Sequence, residues 1–314
     1  NLIGLNISSS FNSAVTIYIL IPILLIPQLI LSGVVVRFDK LNPSLSSDST
    51  VPFVGELMAS RWALEAGIVH QFKENEYEKH FYTYDKIMAD ADYMKIYYIP
   101  TIESKLEYCL NNYRNPDEET KAKLIASLKL LKTEIAKELN HVGGDKFSRI
   151  NDLHIDAFDS ALYKEANSFL ESLRKYYVNR YNKADSFKET KIREMIDTPE
   201  KKAEFDLLKA HYYNESIAAL VKNQNEQHRI IEQDGILVRK IFPIYMTPHP
   251  HGMFDFRDQF YVPQKQFMGR HYDTFYFNIF IIWLMTIGFM ITLYFDVLRR
   301  IVSMISNISD NMKR

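Results

Sequence analysis

AVTIYILIPILLIPQLILSGVVV, residues 14–36, and TFYFNIFIIWLMTIGFMITLYF, residues 274–295, contain no acid and no base. A helix needs about 20 consecutive apolar residues to cross the hydrocarbon core of a bilayer, and each run supplies them. Two spans return a chain to the side it left. Residues 37–273 are therefore expected as one excursion on a single face of a membrane. The expected fold is mainly α: two transmembrane helices flanking a large helical domain. Its segments are 1–36 (the end of a preceding membrane helix, then the first span), 37–75 (a loop and a re-entrant or interfacial helix), 76–242 (the helical domain), 243–273 (a Pro/aromatic interface segment) and 274–314 (the second span and its tail).

Averages hide this pattern. A quarter of the 314 residues are charged, yet the net charge is −1, and a nucleic-acid partner would want a basic stripe. One cysteine, Cys109, excludes an internal disulfide and any cysteine-based zinc cluster. Leu2, Ile3, Leu5 and Ile7 read like the end of an earlier apolar helix, so the chain is expected to be a piece of a longer polypeptide. Arg299, Arg300, Lys313 and Arg314 follow the second run, against only Arg37 and Lys40 after the first. Basic residues near a span mark the cytoplasmic side. That orientation puts the C-terminus in the cytoplasm and residues 37–273 outside an inner membrane.

The first run holds Pro22, Pro27, Gln28, Ser32 and Gly33. Proline in a membrane helix frees carbonyls that neighbouring helices or water must satisfy. A lone anchor has little use for two prolines and a glutamine, and the composition points to a helix in a multi-helix bundle that lines a pathway. From Phe53 to Lys73 a helix carries Val54, Leu57, Met58, Ile68, Val69 and Phe72 on one face, with Arg61 and Glu65 in its middle. Spaced i, i+4, the two charges can meet. Either the polar face is wider than this wheel suggests, or Arg61 and Glu65 form an internal ion pair on a re-entrant or interfacial helix.

The insert reads as an antiparallel bundle of three amphipathic helices. The first occupies PDEETKAKLIASLKLLKTEIAKELNHVGG (116–144), the second runs from about 152 to 183, and the third from Thr198 as N-cap to about 239. The segment 243–273 is dense in proline and aromatic residues suited to a membrane interface. His249 and His251, with His271 and Asp255 nearby, are weak metal candidates, since an HxH pair without a fixed third ligand seldom holds zinc. Asn214-Glu215-Ser216 fits a glycosylation acceptor but falls inside an expected helix. No GxSxG, HExxH or P-loop occurs, so no catalytic site is assigned.

IPILLIPQLILSGVVV, a short loop and MASRWALEAGIVHQF together resemble the last third of White/ABCG-type ABC exporter permeases. The matching residues are Ser32 and Gly33, then Arg61, Trp62 and Glu65, and the likeness covers about residues 1–75 and 270–300. The insert is much longer than the family's usual outer loop and lies outside the likeness. The resemblance implies a fragment of a six-helix membrane domain that moves substrate by alternating access. It implies that Gln28, Ser32, Gly33, Val34 and Val35 line the pathway or gate, with Val34 and Val35 near an apolar plug where the family usually has leucines. It also implies a dimer of membrane domains in the lipid bilayer, and ATP and Mg bound by an ATPase domain or subunit rather than by this chain. A periplasmic partner for the insert is a further expectation. The alternative from another class is a two-span membrane sensor or structural protein whose outer helical domain binds a ligand or partner; a third is a metal-dependent membrane enzyme using the HPHG loop, residues 249–252.

Overall fold

The computed structural model describes residues 1–11, 13–33, 36, 38, 50–114, 116–143, 146–248 and 252–312. The chain is mainly helical. In order it forms α1 (Leu2–Ser10), α2 (Ala14–Ile30), the short α3 (Phe53–Glu56), α4 (Ala59–Lys73), α5 (Tyr82–Tyr93), a π turn (Met94–Tyr98), α6 (Ile99–Asn112), α7 (Glu118–Val142), α8 (Ser160–Met195), α9 (Pro199–Tyr212) and α10 (Glu215–Lys222). There follow the strands β1 (Ile230–Gln233), β2 (Ile236–Arg239), β3 (Gln264–Phe267) and β4 (Arg270–Asp273), then α11 (Thr274–Tyr294) and α12 (Val297–Met312). The chain divides into two compact units, one of Asn1–Gln71 with Thr247–Arg314, the other of Phe72–Met246.

Among the described residues only α11, at 21 residues, is long and apolar enough to cross a membrane. α2 is equally apolar but has 17 residues, a rise of about 25 Å against roughly 30 Å of hydrocarbon. Its interior Pro22 and Pro27 remove two amide donors, and none of its residues is buried. The described residues thus contain one candidate span rather than two.

In the second unit, α5 packs on α8 and α6 on α7. Leu124, Leu128, Leu131 and Ile135 of α7 recur at helical spacing and meet Ile102 and Leu106 of α6 and Leu162, Phe169 and Leu173 of α8 in one core. The π turn has an identifiable cause: Pro100 has no N–H to offer the carbonyl of Ile96, and its ring crowds that carbonyl, so the helix widens there. Glu134 of α7 is 1% exposed. Its carboxylate accepts from Tyr98 Oη (3.0 Å), Leu237 N (3.1 Å) and Lys137 Nζ (2.7 Å), which ties the β1–β2 hairpin to the bundle. Burial and the adjacent Glu134 push the Tyr98 phenol well above its usual range.

Two helix expectations are corrected. α8 begins at Ser160, not near 152, because Asp159 caps it by accepting from Leu162 N at 2.6 Å. It continues to Met195, well past 183. The third expected helix is instead α9, α10 and a hairpin. Asn214 starts α10 as its N-cap and Asn223, left-handed at φ 46°, ends it. Asp234 (φ 53°) and Gly235 (φ 75°) then make the tight turn that an Asp-Gly pair favours between antiparallel strands. Met268 (φ 52°) and Gly269 (φ 73°) do the same between β3 and β4, within the Pro/aromatic segment 243–273.

Residues 72–246 expressed alone should be soluble, strongly helical by circular dichroism and cooperative on heating. In that fragment Leu131→Ala, a truncation at a fully buried site, should cost about 2–5 kcal/mol in denaturant titrations. An unfolded fragment, or a Leu131→Ala variant as stable as its parent, would contradict a self-sufficient core.

Candidate functional site: a buried ion cluster at the head of α11

The buried stripe of α4 is Arg61, Trp62, Glu65, Ala66, Val69 and Phe72. Leu57, expected on the apolar face, is 58% exposed. Arg61 and Glu65 are both fully buried, and Arg61 Nη1 lies 3.4 Å from Glu65 Oε2. The pair is part of a larger cluster. Glu56, at the end of α3, brings Oε2 to 3.3 Å from Arg61 Nη1. Lys265 of β3, 1% exposed, donates from Nζ to Glu65 Oε1 at 2.9 Å. Asn278 of α11, fully buried, donates to Glu65 Oε2 at 2.8 Å and to the Trp62 carbonyl at 3.2 Å. The Tyr261 amide adds a fourth contact to Glu65 at 3.2 Å.

Local structure fixes each contributor. Asp273 caps α11 by accepting from Phe275 N, and Thr274 Oγ1 donates to the Val262 carbonyl at 2.6 Å, which sets the rotation that aims Asn278 at α4. Trp62 Nε1 donates to the Glu56 carbonyl at 2.8 Å, and the Arg61 guanidinium lies over the Trp62 ring, 4.0 Å from its centroid.

Electrostatics divides the two carboxylates. Burial works to raise the Glu65 carboxyl, but Arg61 and Lys265 and the hydrogen bonds from Lys265 and Asn278 outweigh it and hold it below the ordinary value. At Glu56 burial prevails over Arg61 and Lys265, and its carboxyl stands above the ordinary value. Arg61 Nε and Asn278 Oδ1 are buried without a hydrogen-bond partner, so the cluster retains unused donor and acceptor capacity.

The other expected site residues are placed as follows. The Gln28 carbonyl accepts from Ser60 Oγ at 2.6 Å, joining the end of α2 to α4. Ser32 is 8% exposed and its Oγ donates to the Leu29 carbonyl at 2.8 Å. Gly33 has φ +89°, and a Cβ there would stand 2.6 Å from Phe38 and 2.7 Å from Phe260, so only glycine fits. Val34, Val35, His249 and His251 lie outside the described residues. His271 is exposed and 3.3 Å from Gln266 Oε1, while Asp255 binds Arg257 through two 2.9 Å contacts. Among the described residues, no group of three or more His, Cys, Asp or Glu converges as metal ligands do.

Sequence reasoning did not find Glu56, Lys265 or Asn278. Asn278 left a usable trace, an amide near the start of an otherwise apolar run; Lys265, between two glutamines, left none. No family model, curated protein or solved structure matches the chain. The arrangement contains no nucleophile–base pair; what it can do chemically is clamp α4, β3 and the head of α11 to one another.

Removing one partner of a buried pair strands the other charge, at roughly 3–5 kcal/mol. Glu65→Gln should therefore lower thermal stability sharply in detergent or nanodiscs. Arg61→Ala combined with Glu65→Ala should cost less than the two singles summed; additive losses would mean the two charges are not coupled.

A second expectation concerns pH. Because the folded Glu56 carboxyl stands above its unfolded value, the folded state holds the extra proton between the two, and stability falls as pH rises through that window. Glu65 has the opposite sign: its contribution is present above the ordinary value and lost as pH drops through its lowered one. Glu56→Gln should thus gain stability relative to the parent as pH rises from the ordinary carboxylate range toward neutrality, read as melting temperature against pH. A relative loss would refute the raised value.

Proposed function

We propose that this chain is the C-terminal part of the membrane domain of an ATP-driven exporter of the White/ABCG type. The observation that carries the reading is the fully buried Arg61–Glu65 pair, held to Asn278 near the start of the apolar helix α11. In the resembling family a short Arg/Glu helix follows the fifth membrane helix and precedes the sixth. Here α2, α4 and α11 take those three roles, with Gly33 as the joint after α2. The Gly33 approach to Phe38 and Phe260 supports the small-residue step at the end of the fifth helix.

In this reading α11 spans the bilayer, the shorter α2 is accommodated beside it by local thinning of the bilayer, and residues 37–273 lie outside the cytoplasm. Hydrolysis of ATP, with Mg, takes place in a nucleotide-binding domain elsewhere in the polypeptide or complex. Alternating access requires membrane helices to move without losing their outer connections. The ion cluster meets that requirement by binding α4 rigidly to the head of α11, so that the two travel as one body.

Two measurements test the proposal. The coding sequence upstream of Asn1, or a gene beside it, should encode a Walker A motif, and four more apolar spans should precede Asn1; a sensor would show neither. In intact inner membrane, Lys146→Cys should react with an impermeant thiol reagent and Lys313→Cys should not, against a parent whose single Cys109 is buried. The reverse labelling would overturn the topology.

A further inference from the structure

Among the described helices α12 is the most sharply two-faced. α11 and α12 are separate helices. Phe295 N bonds back to Ile291 O, Asp296 takes a left-handed φ of 50°, and Arg300 N then bonds to Asp296 O at 3.1 Å to open α12. A left-handed residue just past a helix end stops that helix, so α12 is not an extension of the apolar helix before it. Nor can it span a membrane itself: its 16 residues include Arg299, Arg300 and Asp310.

On a wheel of 100° per residue, Val297, Leu298, Ile301, Val302 and Met304 fall in one arc, and the sequence continues that spacing with Ile305, Ile308 and Met312. Arg299, Arg300 and Ser303 occupy the other side. α1 and α11 pack against part of the apolar arc, leaving Val297, Leu298 and Val302 half-buried. Two further residues of the arc are bare: Ile301 is 46% and Met304 63% exposed, beside the exposed Arg299 and Arg300. From residue 297 to 314 the sequence has four basic residues, Arg299, Arg300, Lys313 and Arg314, and one acid, Asp310.

An apolar strip flanked by cations, directly continuous with a lipid-length helix, matches one surface chemistry: acyl chains under anionic headgroups. We propose that α12 lies in the membrane interface, with Ile301 and Met304 in the acyl region and Arg299 and Arg300 on anionic phospholipid headgroups. This rests on α11 being a membrane span, and it adds a lipid-sensing surface that an exporter does not require. A helix bound this way, joined to α11 by one residue pair, transmits the lipid composition of its leaflet to the foot of α11.

The test is site-directed spin labelling of the full chain in vesicles of phosphatidylcholine with and without phosphatidylglycerol. Labels at Met304→Cys, Ser303→Cys and, as a reference in α11, Ile287→Cys are relaxed by oxygen, which partitions into lipid, and by a water-soluble nickel chelate. The label at 287 should favour oxygen, which establishes the span. The label at 304 should also favour oxygen and that at 303 nickel. Removing phosphatidylglycerol, or introducing Arg299→Gln with Arg300→Gln, should lower the oxygen preference at 304 by about twofold or more, as lost headgroup attraction predicts.

With 287 in lipid, nickel access at 304 equal to that at 303 places α12 in water and overturns the proposal. A 304 label shielded from both reagents puts the strip against protein, such as a second copy, and overturns it equally. Insensitivity at 304 to both the lipid and the arginine changes refutes the anionic headgroups. A 287 label open to nickel removes the span, and with it both this proposal and the exporter reading.

Discussion

Burying Glu65 is the constraint from which the first unit is built. A carboxylate with no water around it is tolerable only when cations and donors replace its hydration. Four separate pieces of chain deliver them: Arg61 from the same helix, the Tyr261 amide from the loop before β3, Lys265 from β3 and Asn278 from α11. None can be displaced without leaving a charge or a polar atom stranded. Residues far apart in sequence are therefore held to fixed relative positions by a single side chain. The apolar contacts of Trp62 with Phe256 and Phe277 surround the same point and keep water out, which strengthens every electrostatic contact inside.

The second unit has a different basis. Its core is aliphatic and aromatic, with helix stripes meeting at ordinary spacing, and polar groups enter singly. Glu134 is the clearest instance, because its one carboxylate serves Tyr98, Lys137 and the backbone of Leu237. A conventional apolar core tolerates much volume-conserving substitution. A cluster of coupled charges does not. The Glu65 cluster and the core of residues 72–246 should consequently differ in how much sequence change they accept.

What could be read from the sequence follows from how local each signal is. Arg61 and Glu65 are four residues apart, so helical geometry alone brings them to one face. The stripe Leu124, Leu128, Leu131 and Ile135 gives α7 for the same reason. Glu56, Lys265 and Asn278 join the cluster through tertiary folding, and Lys265 sits in QKQF, a string that reads as a solvated strand. The helix boundaries failed where periodicity and capping disagree. Ile155 and Phe158 keep a helical spacing with Leu162, yet Asp159 starts the helix. Leu220 and Val221 run on toward Ile230 and Ile231, yet Asn223 and the Asp234–Gly235 turn redirect the chain into strands. The apolar run at residues 14–36 outlasts α2, which stops at Ile30.

The composition of the ion cluster has a bearing on voltage. With every member ionised, Arg61 and Lys265 balance Glu56 and Glu65, and the sum is zero. One elementary charge moved through a membrane potential gains or loses about 2.3 kcal/mol per 100 mV. On the exporter reading, a joint whose charges cancel feels no net pull from that field, however far it travels, so α4 and the head of α11 would move without electrical work. Protonating Glu56, the carboxyl that burial has already disposed toward its neutral form, leaves one positive charge uncancelled. Acidity is thus what would make this part of the molecule responsive to the electrical state of a membrane.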